Sequence, residues 1–406
     1  MFCDWLNMWQ QHEGDWPDFL GGRVVSIEGA CGLLRAPVLD RETGEFAESW
    51  TLAGGEIDYD VAKFEQHRGS FETTIMVRMV NGRLEVRGNP SSWGRLDNLF
   101  GVTLDEGVAI YNEILRGLAL PEFTEGECID QWLQNEQTWQ KTYTGAHVTR
   151  CDMTQNHAVG MGNVKAFHKW LTQQKVYRSA PDDDQIEQFM RWDYSTVYLS
   201  ESKFWVTAKF YDKARALTDV TLAQYLKKLK AAAKEGRINK GDVSTLYKEA
   251  EDYLNGLACW CAEQGIARGE WSFRNRWFAQ HQGLGFWKPG ETEGAILDAA
   301  GQELDKIMKR AVVYQQDSYD ALTDKEFRVL SDWKRGDDLL GLGKLSKSAF
   351  YRFRTSIREK TGMDIASRPI HRVSESRPVF FQVKPVTMRD APLWYQRPSV
   401  PSLLAA

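Results

Sequence analysis

Phe71-Glu-Thr-Thr-Ile-Met-Val-Arg-Met-Val80, Asn81-Gly82 and Arg83-Leu-Glu-Val-Arg87 read as two strands joined by a tight turn. The first run is rich in strand-favouring side chains, and Asn-Gly suits the left-handed backbone of a two-residue hairpin loop. Gly88-Asn-Pro90 then ends the second strand. Working outward, Arg23-Val-Val-Ser-Ile27 is a further strand. Thr103 with Glu106 forms a capping box ahead of Val108, Ile110, Tyr111 and Ile114, which predicts a helix. His147-Val-Thr-Arg-Cys-Asp-Met-Thr154 alternates like a strand, and a helix around Val164 to Leu171 follows it. Ser195-Thr-Val-Tyr-Leu199 and Phe204 to Phe210 make a second hairpin, Leu222–Lys234 and Val243–Gln264 are helical, and Arg268 to Trp277 returns to strand composition. This order predicts an α+β fold, a largely antiparallel central sheet with flanking helices, rather than a βαβ repeat. Neither GxxxxGK[ST] nor GxGxxG occurs, so no nucleotide-binding loop is expected.

Beyond residue 290 the chain turns helical. Thr323-Asp-Lys-Glu326 is a second capping box, opening a helix through Phe327, Leu330 and Trp333. A Gly-rich link, Gly336 to Gly343, leads to Ser346 and a helix over Lys347 to Lys360. Ala349, Phe350, Phe353 and Ile357 share its inward face, while Lys347, Arg352, Arg354 and Arg358 lie largely outside it. The pair is helix-turn-helix-like, and those four cations are candidate DNA contacts; an ordinary helical hairpin with a solvated charged face is the alternative. The domains expected are a body over 1–290, a helical connector over 291–322 and a basic helical module over 323–406.

Composition bounds the function. The 406 residues carry a net charge of -5, with 42% hydrophobic and 26% charged residues, which is ordinary for a globular protein. The charge is uneven: residues 325–406 carry +8 and the other 324 carry −13, as suits localised rather than uniform DNA contacts. No apolar run approaches the roughly 20 residues of a membrane span, and Met1-Phe-Cys-Asp-Trp5 lacks the marks of a signal peptide. A cytoplasmic protein without membrane contacts is expected. Cys3, Cys31, Cys128, Cys151, Cys259 and Cys261 are scattered, so no zinc or disulfide framework is expected; Cys259-Trp-Cys261 reads as a pair of buried, reduced thiols.

Three carboxylates occupy strand positions. Asp152 shares a face with Arg150 and Thr154, Glu85 is central in Leu84-Glu-Val86, and Glu270 follows Arg268-Gly269. Each alone reads as solvated or arginine-paired; together they would suit a hard divalent cation, Mg²⁺ or Mn²⁺. Tyr211 ends a strand and precedes Asp212-Lys213-Ala-Arg215. A phenol titrates near 10 and needs help to act as a nucleophile, and Lys213 could stabilise its phenolate or the phosphate it attacks. A packing tyrosine is the plainer reading. Composition and spacing allow a metal-plus-tyrosine phosphoryl-transfer site without selecting it.

Several separated stretches resemble one family, the replication initiators of filamentous phages (the gene II and gene X proteins). They are Glu85-Val-Arg-Gly-Asn-Pro90 with Asn98-Leu-Phe-Gly101; Thr149-Arg-Cys-Asp-Met-Thr154; Ser195-Thr-Val197 through Phe210-Tyr-Asp-Lys213 to Leu217; Arg268-Gly-Glu270; and Leu345-Ser-Lys-Ser-Ala-Phe350 with Trp394-Tyr395. The order is kept over most of the chain.

The resemblance implies a metal-dependent rolling-circle endonuclease related to the HUH enzymes, with a metal on a central antiparallel sheet. It implies that a tyrosine nicks one origin strand, stays linked to the 5′ phosphate and later rejoins the strand. Carried over by position, Tyr211 is the nucleophile, with Tyr198 in reserve; Asp152 is a metal ligand, with Glu85 and Glu270 as further candidates and Arg150 as a DNA contact. The HUH pattern itself is missing, since His12, His67, His147, His157, His168, His281 and His371 include no His-x-His pair; Arg150-Cys-Asp152 stands in its place. The implied partners are phage or plasmid origin DNA and a host helicase and polymerase, in the host bacterial cytoplasm. A non-catalytic DNA-binding regulator, and a plasmid initiator or relaxase of related chemistry, are the competing readings. Trp205, Trp271 and Trp277 lie near the proposed site in sequence, yet none of the 16 tryptophans is assigned to DNA.

Overall fold

In the computed structural model the hairpin that decides the fold forms as expected. Thr74–Val80 and Arg83–Gly88 pair antiparallel from Met76–Arg87 to Val80–Arg83, and Asn81 and Gly82 turn between them with φ of 49° and 72°. The structure describes residues 1–14, 74–133, 138–172, 196–201, 205–234, 238–281, 285–313, 322–340, 344–361, 365–366 and 383–396, with shorter pieces between 16 and 62.

Among the described residues ten strands form one sheet: β1 Phe2–Gln11, β2 Val24–Glu28, β3 Tyr59–Ala62, β4 Thr74–Val80, β5 Arg83–Gly88, β6 His147–Ala158, β7 Thr196–Glu201, β8 Val206–Asp212, β9 Ile266–Arg274 and β10 Lys384–Val386. Their order is β7-β8-β9-β6-β1-β5-β4-β2-β3, every neighbouring pair being antiparallel. β10 joins β6 opposite Asn156–Ala158, just past the point where β1 ends at Phe2 opposite Thr154. The helices include α1 Leu104–Gly117, α2 Val164–Thr172, α3 Ala223–Lys234, α4 Val243–Gln264, α5 Asn275–Gln280, α6 Glu291–Val313, α7 Asp324–Lys334 and α8 Lys347–Thr361, and a short helical turn over Lys213–Arg215 followed by a π-helix over Ala216–Leu222 leads from β8 into α3. The expected α+β class with an antiparallel sheet is therefore borne out.

Alternation along the strands separates the two faces of the sheet. Leu6, Met8, Ile75, Val77, Val86, Cys151, Met153, Phe210, Trp271 and Phe273 build the main core with residues of α1, α2 and α6. Complete burial of a side chain such as Trp271 or Phe273 contributes about 2–3 kcal/mol. Both capping boxes form, at Thr103/Glu106 for α1 and Thr323/Glu326 for α7. The buried Tyr111 hydroxyl of α1 lies 2.8 Å from the Leu6 carbonyl and 3.0 Å from that of Gly88, fixing the helix to β1 and β5.

A second core joins α3 and α4 to the sheet margin through Leu229, Leu254, Leu257, Cys261, Ile266, Val386 and Tyr395. Residues 384–396, placed by the sequence in a C-terminal module, thus pack on the body. A third core, Val329, Leu330, Trp333, Phe350 and Ile357, holds α7 against α8. Residues 341–343 of the Gly-rich link lie outside the described residues.

Two expectations need correction. The strand composition after Arg268 stops at Arg274, and Trp277 lies on α5. Cys261 is buried but Cys259 is exposed, because residues two apart on a helix point to nearly opposite sides. Cys3, Cys151, Cys259 and Cys261 are all free thiols. Among the described residues no helix is long and apolar enough to cross a membrane.

Candidate functional site

The polar face of β6, β8 and β9 brings together most of the candidate residues. Antiparallel register sets Asp152 opposite Ser272 and Thr154 opposite Glu270. It sets Glu270 opposite Lys209 and Arg268 opposite Tyr211. Arg150, Asp152 and Thr154 therefore do share a face, and Glu270 and Tyr211 stand on it as well.

Tyr211 is half-buried at the end of β8. Its hydroxyl accepts from Arg268 Nη1 at 3.4 Å, and Lys209 Nζ lies 5.5 Å from its ring centre. Burial raises the phenol's pKa; the Arg268 charge opposes this, Glu270 and Asp4 add to it, and Lys209 opposes it. In this setting the phenol stays protonated at neutral pH. Tyr198 lies on β7 opposite Lys209, one strand further from β9.

Arg268 is completely buried, with partners on three elements. Its Nε donates to Asn156 Oδ1 at 3.0 Å and its Nη2 to the carbonyls of Asn98 and Leu99, the latter at 2.6 Å. Lys213, also buried, reaches Asn98 Oδ1 at 2.6 Å, not the phenol. Burial brings its ammonium down to about 7; Arg268 lowers it further, while Asp4 and Asp97 oppose. Among the described residues the cations at Tyr211 are therefore Arg268, which the sequence offered only within Arg268-Gly-Glu270, and Lys209.

Asp4 of β1 was missed as well. It is completely buried, and its Oδ1 accepts from Asn98 Nδ2 at 2.8 Å and Asn89 Nδ2 at 3.1 Å. Burial pushes its carboxyl up to about 6, against Arg268 and with Glu270. The Gly88-Asn-Pro90…Asn98-Leu-Phe-Gly101 stretch thus has a physical role. Asn89 accepts from Ser92 N at 3.0 Å, Ser91 Oγ donates to the Cys3 carbonyl at 2.6 Å, and the loop supplies the carboxamides and carbonyls that hold Asp4 and Arg268. Gly101 is needed there because a Cβ would strike Ser91 and Phe2.

Of the three carboxylates the sequence singled out, only Asp152 and Glu270 stand on neighbouring strands. Asp152 is gripped by Arg150, with Nε to Oδ1 at 2.8 Å, and Arg150 also lies over the Trp5 ring at 5.0 Å. Glu270 Oε1 pairs with Lys209 at 2.8 Å. Glu85 lies apart: its register partner is Trp9, which faces His147 rather than Asp152, and it pairs with Arg83 at 2.7 Å and Arg87 at 3.6 Å. Among the described residues no three His, Cys, Asp or Glu side chains gather as a metal site. His157 is a buried core residue, held neutral by burial with its pKa lowered to about 3. Trp271 and Trp277 are core residues too.

On α8, Lys347 and Arg352 are exposed and Arg354 and Arg358 are partly covered. Lys360 reaches back to Glu326 of α7 at 2.8 Å. Burial pushes the Glu326 carboxyl up, but hydrogen bonds from Lys360, Ser356 and Thr323 overcome this and hold it at about 2.

No family model matches the chain, and no solved structure matches it. It is 26% identical over 346 residues to a replication-associated protein of Escherichia phage If1, an alignment covering 80% of this chain and 98% of that protein. The resemblance to filamentous-phage replication initiators carried by the separated motifs is thus borne out along nearly the full length of such a protein.

Proposed function

We propose that this chain is a replication initiator that nicks one strand of a phage origin by attack of Tyr211 on a backbone phosphate. The observation that carries the reading is Tyr211 itself. In a chain similar to a replication-associated phage protein, its hydroxyl is held by Arg268 on the polar face of the sheet, with Lys209 beside its ring.

The phenolic oxygen forms a bond to phosphorus as the bond to the 3′ oxygen breaks. The phenol loses its proton and the departing 3′ oxygen gains one. The 5′ phosphate remains on Tyr211, and the freed 3′ hydroxyl primes synthesis. Because one phosphodiester is exchanged for another, the reverse step rejoins the strand without a nucleotide cofactor. Arg268 and Lys209 supply positive charge where the phosphate gains negative charge, which is the largest kind of contribution a fixed site can make. Lys213 acts through Asn98 as a positioning residue. Tyr198 is the second phenol on this face.

A divalent cation, Mg²⁺ or Mn²⁺, fits the oxygen donors on this face. Glu270 has a buried Oε2 that no donor reaches among the described residues, whereas Asp152 would have to loosen its Arg150 contact and Glu85 lies off the site. Such a cation would polarise the scissile phosphate. The antiparallel sheet with its polar reacting face supports an HUH-related arrangement. The helix pair α7–α8 would hold origin DNA through Lys347 and Arg352, and a host helicase and polymerase would follow the nick.

The test is incubation with a labelled supercoiled origin plasmid and Mg²⁺, reading nicked circles that carry protein on the 5′ end. Tyr211→Phe should abolish the linked product, by at least about 10³-fold, while origin binding persists. An undiminished covalent product in that variant would remove Tyr211 from the role. Binding without any nick by the wild-type protein would point to a regulator instead.

A further inference from the structure

We propose that Asp4 and Glu270 together bind the divalent cation of this site, an inference that rests on the nuclease reading above. Both carboxylates are interior, at 0% and 2% exposure. Each is anchored through one oxygen only. Asp4 Oδ1 takes hydrogen bonds from Asn98 and Asn89, and Glu270 Oε1 pairs with Lys209. Asp4 Oδ2 and Glu270 Oε2 are buried, and among the described residues neither has a donor. A buried carboxylate oxygen left without a partner is costly, so two on the strands that flank β6 call for a common ligand.

The backbone shows how Asp4 comes to be there. The β1–β6 register slips between Cys3, opposite Met153, and Trp5, opposite Asp152. Asp4 is the extra residue of that bulge, a device that re-aims a side chain beside active sites. Thr154 bridges the two strands in register, facing Phe2 on one side and Glu270 on the other. Its Oγ1 is a further buried oxygen without a partner among the described residues.

Asp152 and Glu85 offer less. Arg150 engages both oxygens of Asp152, and Arg83 and Arg87 flank Glu85. Oxygen donors of this kind select a hard cation. Mg²⁺ and Mn²⁺ are commonly held by one or two carboxylates, with water and a substrate phosphate completing the shell.

The experiment is direct Mn²⁺ binding to the full chain without DNA, followed by electron paramagnetic resonance. Asp4→Asn and Glu270→Gln should each weaken binding at least tenfold. Asp152→Asn and Glu85→Gln should stay within about twofold of wild type. Wild-type binding in Asp4→Asn, or a tenfold loss in Glu85→Gln, would overturn the assignment. Because a variant could misfold, Fe²⁺ with ascorbate and peroxide supplies a second reading on the unaltered protein. Backbone cleavage should fall around residues 4, 154 and 270, and cleavage centred on residue 85 would reject the site. The origin-plasmid assay separates the two claims. A covalent product with metal binding indifferent to Asp4 sinks this inference alone; metal binding lost in Asp4→Asn with no covalent product from wild type sinks the nuclease reading alone.

Discussion

Arg268 and Tyr211 face each other across β9 and β8, and the same guanidinium that meets the phenol is pinned to the carbonyls of Asn98 and Leu99. The position of the phenol is thereby tied to a loop more than 100 residues away in sequence. Asn156, from a third strand, fixes the guanidinium's remaining edge.

Replacing that guanidinium by an ammonium should be costly. Arg268→Lys keeps the charge but not the planar fork that reaches Asn156, two carbonyls and Tyr211 together. We expect a loss of about 2–4 kcal/mol in urea unfolding, since buried carbonyls are left without donors. A change below about 0.5 kcal/mol would show that the network does not hold the loop.

The α7–α8 pair should carry an acid-sensitive share of stability. Glu326 titrates at about 2 when folded and near the ordinary glutamate value when unfolded. The unfolded chain therefore binds the proton first as pH falls, and the contribution is complete above about 4.5 and lost between 4.5 and 2. Glu326→Gln should remove about 1 kcal/mol at pH 7, allowing for solvent screening, and flatten the melting-temperature curve in that window. An unchanged slope in the variant would dismiss the Lys360–Glu326 bond as a stabilising contact.

Origin binding should weaken in a salt-dependent way when α8 is stripped of its exposed cations. Lys347→Ala and Arg352→Ala should each reduce the slope of log affinity against log salt by about 1 for each phosphate no longer neutralised. Equal slopes in wild type and double variant would leave α8 with a purely structural role.

The sheet was legible where local chemistry dominates. Asn81-Gly82 dictated the first hairpin, the capping boxes at Thr103 and Thr323 placed α1 and α7, and alternation put Arg150, Asp152 and Thr154 on one face. β1 escaped notice although it lies at the centre of the sheet between β6 and β5. Its alternation is broken by the bulge at Asp4, and a strand buried on both faces shows little period. The signal available was Asp4 itself, an acid inside an otherwise apolar opening of the chain. Arg268 gained its place at Tyr211 only through the pairing of β8 with β9, as a tertiary register is not written in either strand alone, whereas Lys209, two residues before Tyr211 on β8, follows from the strand's own alternation. Lys213 adjoined Tyr211 in sequence, but the chain turns into a helix there and carries its side chain to Asn98.

Tyr395 donates to Asp97 Oδ1 at 3.0 Å and accepts from the Phe100 amide at 3.2 Å, while β10 fills the place beside β6 that β1 vacates. A ribosome delivers residues 97–100, 211 and 268 long before residues 384–396. The loop that braces Arg268 is consequently fastened by a residue translated more than 100 positions after Arg268 itself. A nascent chain that has emerged only through Arg268 therefore lacks the Tyr395 brace on the 97–100 loop.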